Sequence, residues 1–244
     1  MTQTKLRIGT AGWTVPRTVA ELFPAEGTGL ERYSARFSCA EINSSFHRSH
    51  RRETWERWAA SVPEDFRFSA KLSKEITHRL RLRDCEDLLA AALAEMEPLG
   101  EKLAVLLVQL PPSLAFEADV AEAFVALLRS RWTKAVALEP RHASWFEGEA
   151  GALLRAHDVA RVAADPARVP EAAEPGGARS LSYWRLHGSP VPYRSSYDDG
   201  RLERYAERLE AELASGAPVW CIFDNTASSA AGGDALKLIR LLGG

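Results

Sequence analysis

AVLLVQL at residues 104–110 and WCIFDN at 220–225 are apolar at successive positions and meet polar residues at Gln109, Asp224 and Asn225. A strand with one wet face alternates. A strand covered on both faces reads as a continuous apolar run, the pattern of a parallel sheet under helices. Extended to Leu103–Gln109 and Val219–Asn225, these are two of eight such runs. The others are Leu6–Gly9, Ala40–Asn43, Phe66–Lys71, Ala135–Glu139, Val159–Asp165 and Tyr183–His187.

Helical signals fill most of the gaps. Leu30, Tyr33 and Phe37 share a face, and residues 84–100 open on acids and close on Pro98 and Gly100. After Asp199, the segment RLERYAERLEAELASG carries Leu202, Tyr205, Leu209 and Leu213 as one stripe before Gly216. Eight strand-plus-connection units in 244 residues average roughly 30 each, the size of a (β/α)₈ barrel of about 250 residues. The expected fold is therefore an α/β, TIM-type barrel, with residues 1–244 forming a single domain. The stretch PARVPEAAEPGGARS after the sixth strand is rich in Pro and Gly, so the barrel is expected to be irregular there, with at most a turn of helix.

Lys and Arg number 31 against 33 Asp and Glu, a formal charge of -2. That balance excludes the global basic field of a DNA-coating protein, and a 46% hydrophobic content excludes disorder. Cys39, Cys85 and Cys221 are too far apart for a CxxC site and read as reduced, buried thiols. The opening residues, MTQTKLRIGT, run into a strand without a basic, then apolar leader, and no apolar run reaches a membrane span. A soluble cytoplasmic protein without membrane association is expected.

Chemistry in a barrel sits at the carboxyl ends of its strands. Those ends and the first loop residues offer Trp13, Glu41, Asn43, Lys71, Gln109, Glu139, Arg141, His142, Asp165, Arg185, His187, Asp224 and Asn225. Lys71, Arg141 and Arg185 would ring the mouth with positive charge and clamp an anion. Glu139, with Glu41 or Asp165, has the two carboxyl groups that acid/base work requires, and His187 could shuttle a proton. Trp13, Asn43, Gln109, His142 and Asn225 complete the expected binding set. Paired structural networks are the competing explanation, because buried charges must be compensated. The carboxylates are hard metal ligands, but Lys71 and Arg185 offset them and no HxxxH spacing occurs, so neither metal nor cofactor is expected.

Two segments are locally basic: Arg48, Arg51 and Arg52, and then Lys71, Lys74, Arg79, Arg81 and Arg83 around the single acid Glu75. With Trp55 and Trp58 nearby, such a rim could hold a nucleic-acid strand, although solvated helix faces with tryptophans turned inward are commoner.

Several blocks occur in order: GTAGW at 9–13, EINSSFHR at 41–48, THR at 77–79, QLPP at 109–112, ExRHxSW at 139–145, RxHG at 185–188 and FDN at 223–225. Together they resemble the YecE-like family, domain of unknown function 72, and the resemblance implies a TIM-barrel-like fold with its mouth built from those blocks. His47, Asp224 and Asp234 stand where that family pattern has Tyr, Asn and Asn, and the extra carboxylate at Asp224 slightly raises the metal reading without displacing the expectation of none. The resemblance supplies no activity. The leading reading is a hydrolase- or isomerase-like enzyme for a small anionic or phosphorylated substrate, sugar- or nucleotide-like. Glu139, Glu41, Asp165 and His187 are its catalytic candidates. The alternatives are a nucleic-acid-processing protein analogous to barrel-shaped apurinic endonucleases and a non-catalytic anion-binding module.

Overall fold

The structure is a computed structural model that describes residues 6–244, so the leader reading of the first ten residues lies partly outside the described residues. Ten strands run in chain order: β1 Leu6–Ala11, β2 Cys39–Ile42, β3 Arg67–Lys71, β4 Leu103–Gln109, β5 Ala135–Glu139, β6 Ala160–Arg161, β7 Ala163–Asp165, β8 Gly176–Gly177, β9 Ser182–Leu186 and β10 Val219–Phe223. Their order in the sheet is β7-β9-β10-β1-β2-β3-β4-β5-β6-β8, parallel throughout except for β6 with β8.

The end strand β7 and the strand β6, next to last at the other end, come from one apolar run. The stretch expected as a single sixth strand breaks at Val162: β6 pairs with β5, Ala137 opposite Ala160, and β7 pairs with β9, Ala163 opposite Trp184. Val162 itself donates its N–H to the Leu138 carbonyl at 2.9 Å. The sheet is thereby bent into a nearly closed, TIM-like barrel, with its irregularity at the sixth unit. There the chain replaces a crossover helix with a 3₁₀ turn, Pro170–Ala173, and the two-residue strand β8.

Helices α1 Gly29–Ser34, α2 Arg52–Ala60, α3 Glu86–Met96, α4 Ala118–Arg131, α5 Gly148–Ala156, α6 Asp199–Ala214 and α7 Ala231–Leu241 supply the outer layer. Thr28 and Glu31 form a capping box that starts α1, which ends before Phe37, although Phe37 still packs in the core. The cap of α6 is Asp198, one residue before the Asp199 expected to open it. Leu202, Tyr205 and Leu209 turn inward as the stripe requires, and Leu213 is half-buried against them. All three cysteines are buried free thiols, and among the described residues no helix is long and apolar enough to cross a membrane.

Alternation along the strands sorts side chains into two cores. Ile42, Phe68, Leu106, Val108, Leu138, Trp184, Leu186 and Phe223 pack outward against the helices. Cys39, Val105, Leu107, Ala137, Ala160, Val162, Tyr183, Trp220 and Ile222 fill the interior. Two residues further along the same inner face lie Glu41, Gln109, Glu139, Arg185 and Asp224, above the apolar plug.

Candidate functional site

Arg185, fully buried in β9, is the hub of this polar layer. Its Nε and Nη2 donate to the two oxygens of Glu41 at 3.0 and 2.7 Å, Nη1 to Glu139 at 2.6 Å, and Nη2 also to Asp224 at 2.9 Å. The Tyr183 hydroxyl adds a bond to Glu41 at 3.0 Å and meets Ser69 at 2.7 Å. Three carboxylates that could have faced a metal face a guanidinium instead. Burial disfavours the charge on Arg185, but Glu41, Glu139 and Asp224 outweigh it and hold the cation firmly.

Glu139 accepts from four residues: Arg185, Gln109 at 2.9 Å, Arg141 at 3.2 Å and His187 at 3.1 Å. Burial pushes its carboxyl up, yet Arg185, His187 and Arg141 prevail and hold it well below the usual carboxylate range. His187 lies between Glu139 and Asp224, with Nδ1 3.0 Å from Asp224. A ring with a carboxylate at each nitrogen is satisfied only when both carry protons. Burial would lower its pKa, but the hydrogen bonds to Asp224 and Glu139 raise it above its ordinary value. Asp224 is lowered in turn: burial opposes ionisation, and Arg185 and His187 overcome it.

A cavity of about 290 Å³ opens beside this layer, lined among others by Glu139, Arg141, Arg168, His187 and Tyr193. Arg141 donates to the Tyr193 hydroxyl at 3.2 Å, and the Tyr193 ring stands edge-on to His187. Larger cavities, of about 440 and 320 Å³, lie elsewhere, between α3 and α4 and beneath α6.

Several expected members do not join the cluster. Asp165 follows Ala163 on the outward face and accepts from Arg201 of α6 at 2.6 Å, because alternation from the inward Ala160 and Val162 turns residue 165 away. Asn225, next to the inward Asp224, ties Ser195 O and Asp234 together at 2.9 and 2.7 Å and anchors a loop. Trp13 packs edge-on against Trp58 and Phe68 at the outer layer. His142 caps the short turn Ala143–Phe146 through Ser144. Asn43 follows β2 and is half-buried, with Oδ1 unpartnered. Three of the eight residues of the basic segments pair with acids: Arg52 with Glu56, Arg79 with Glu75 and Arg83 with Glu117. Trp55 is buried and Trp58 half-buried, packed on each other.

Residues 7–244 match the family model described as "Protein of unknown function DUF72". The chain belongs to the DUF72 family. This DUF72 chain is 34% identical over 104 residues to the UPF0759 protein YecE of Escherichia coli strain K12, and equally to that of strain O157:H7. The matched stretch covers 43% of the chain and only 37% of those relatives' length. Among solved structures, a DUF72 family protein of Enterococcus faecalis V583 superposes with a TM-score of 0.83 at 20% identity, covering 98% of this chain and 95% of that one. One from Thermotoga maritima MSB8 gives 0.78 at 23%, covering 98% and 99%. At such identities the likeness establishes the fold, a TIM-like barrel.

Sequence reasoning passed over Tyr183, Ser69 and Tyr193 in this DUF72 chain and left Asp224 outside the proposed site set. Counting by twos would have found three of them: Ser69 and Tyr183 precede Lys71 and Arg185 by two residues, and Asp224 follows Ile222 by two. Tyr193 sits in a loop, where no periodicity operates.

Proposed function

We propose that the cavity beside Glu139 and His187 binds a small anionic or phosphorylated molecule, sugar- or nucleotide-like, and that His187 moves a proton in acid/base or hydrolytic chemistry on it. The observation that carries this reading is the position of His187, wedged between two buried carboxylates and forming part of a cavity wall that also carries Arg141 and Arg168. Arg185 and protonated His187 leave one of the three carboxylate charges of Glu41, Glu139 and Asp224 uncompensated, and Arg141 and Arg168 on the wall turn the balance positive. Arginine's planar fork suits phosphate or carboxylate oxygens.

The roles differ from those expected at first. Glu139, saturated by donors, is a positioning carboxylate that orients His187 and Arg141, not the proton donor. Arg185 has nearly all of its N–H groups committed to carboxylates and serves as internal counter-charge, which leaves anion binding to Arg141. Glu41, fully shielded, neutralises Arg185.

Thermal unfolding with inorganic phosphate and with a sugar phosphate tests the reading, because a ligand that binds only the folded state raises Tm. Wild type should be stabilised, Arg141→Ala should lose the shift, and His187→Gln should retain binding. No shift with either ligand would overturn it.

A further inference from the structure

Lys71, at the carboxyl end of β3, has no part in the proton transfer just described. Its side chain is only 6% exposed, yet among the described residues it makes no ion pair with a carboxylate. Its ammonium nitrogen lies instead 4.0 Å from the centre of the Phe46 ring. The backbone is fixed there: Ser45 Oγ donates to the Lys71 carbonyl at 2.8 Å and contacts that of Ile42 at 3.0 Å. The same Phe46 ring meets His78 edge-on at 5.0 Å. His78 sits on a wide π-type turn, Glu75–Arg79, of the kind that recurs at functional sites, and its Nδ1 is engaged by Thr77 at 2.8 Å.

A buried amine without an acid partner gives up its proton readily. Burial, then the neighbouring Arg185, bring Lys71 down to about 8, although Glu41, Glu139 and Asp224 oppose them. Burial, Lys71 and Arg141 likewise lower His78, which keeps the imidazole neutral. A neutral amine is a nucleophile toward carbonyl carbon, and an aromatic face stabilises the cation that results.

We propose that Lys71 forms an imine with a small ketone or aldehyde bearing a carboxylate or phosphate, with Phe46 facing the iminium and His78 relaying protons. The Nζ lone pair adds to the carbonyl carbon and forms the C–N bond, while the C=O π pair moves to oxygen. One proton passes from nitrogen to that oxygen through His78, giving a carbinolamine. A second proton, taken from solvent through His78, lands on the oxygen and lets the C–O bond break; water leaves and the nitrogen lone pair forms C=N⁺H. No oxidant or reductant is consumed. The inference rests on the anionic-ligand reading only for the charge of the substrate.

The test incubates the whole protein at neutral pH with pyruvate, or with uncharged hydroxyacetone, and traps any imine with cyanoborohydride before peptide mass spectrometry. Pyruvate should label Lys71 at least about tenfold more than the exposed Lys74 and Lys237, as the larger neutral fraction of a depressed amine requires. Lys71→Arg should lose that label while Lys74 and Lys237 keep theirs. Equal labelling of Lys71 by hydroxyacetone would support the imine and count against the anionic-ligand reading. Labelling of Lys71 no greater than that of Lys74 with both compounds overturns the imine, even if phosphate still raises Tm.

Discussion

Arg185 and Glu41 form a bidentate pair, Nε to Oε2 at 3.0 Å and Nη2 to Oε1 at 2.7 Å, with both side chains fully shielded from water. Because Arg185 also holds Glu139 and Asp224, removing it strands three carboxylates at once. Breaking a buried pair by deleting one partner costs about 3–5 kcal/mol. Arg185→Met should therefore lose at least that much in urea denaturation. A change within about 0.5 kcal/mol, typical of a surface substitution, would show that the pairs are dispensable.

Between acid and neutral pH, the share of stability set by Glu139, Asp224 and His187 should be greatest in mildly acidic solution. Glu139 and Asp224 titrate below their ordinary values of 4.5 and 3.8 in the folded state. Their contribution is complete above those values and is lost as pH falls through the depressed ones. His187 is raised above 6.5, so its contribution is complete below that pH and disappears as pH climbs through the folded value. His187→Gln should abolish the decline above 6.5 and keep the acid limb. Tm profiles of both proteins decide this, and parallel curves above neutrality would refute the assignment to His187.

Lys71 works in the opposite direction. Its pKa falls from 10.5 to about 8 on folding, so the charged amine opposes folding below pH 8, and the penalty fades as pH rises toward 10.5. A shift of that size corresponds to roughly 3 kcal/mol. Lys71→Met should raise stability at neutral pH by up to this order, with a smaller gain at alkaline pH, as read by chemical denaturation at two pH values. Destabilisation at neutral pH would contradict the prediction.

Gly9 in β1 lets its neighbour approach: a Cβ there would stand 2.1 Å from the Cys39 carbonyl oxygen. That contact is backbone on paired β1 and β2, so it cannot be relieved by a rotamer change. Gly9→Ala should cost about 1–3 kcal/mol or more, whereas Gly29→Ala, which meets nothing within 4 Å, should not. Comparing the two midpoints checks it.

Most of the architecture was legible in the order of residues. The run 104–110 and the stripe of α6 mark a parallel strand and its helix because apolar periodicity is local and each element must bury its own apolar face. The polar strand ends at Glu41, Gln109, Glu139 and Arg185 were legible for the same reason. That Asp165 and Asn225 turn away from the Arg185 cluster was not legible from their place at strand ends, because it depends on which face each residue occupies. The break at Val162 was not legible: nothing local distinguishes a bent strand whose halves serve two neighbours from a straight one.

The sequence by itself thus determined the succession of strands and helices, the weak sixth unit and the polar character of one barrel rim, since all of these follow from short-range pattern. The tertiary structure alone decided which charges cancel and which stay available. Arg185 meets Glu41 across 144 positions and Glu139 across 46. The interaction between them depends on separation and on exclusion of water, both set only once the cylinder closes. Closure likewise leaves Lys71 against an aromatic ring instead of a carboxylate, a difference of a few ångströms that no composition or spacing encodes.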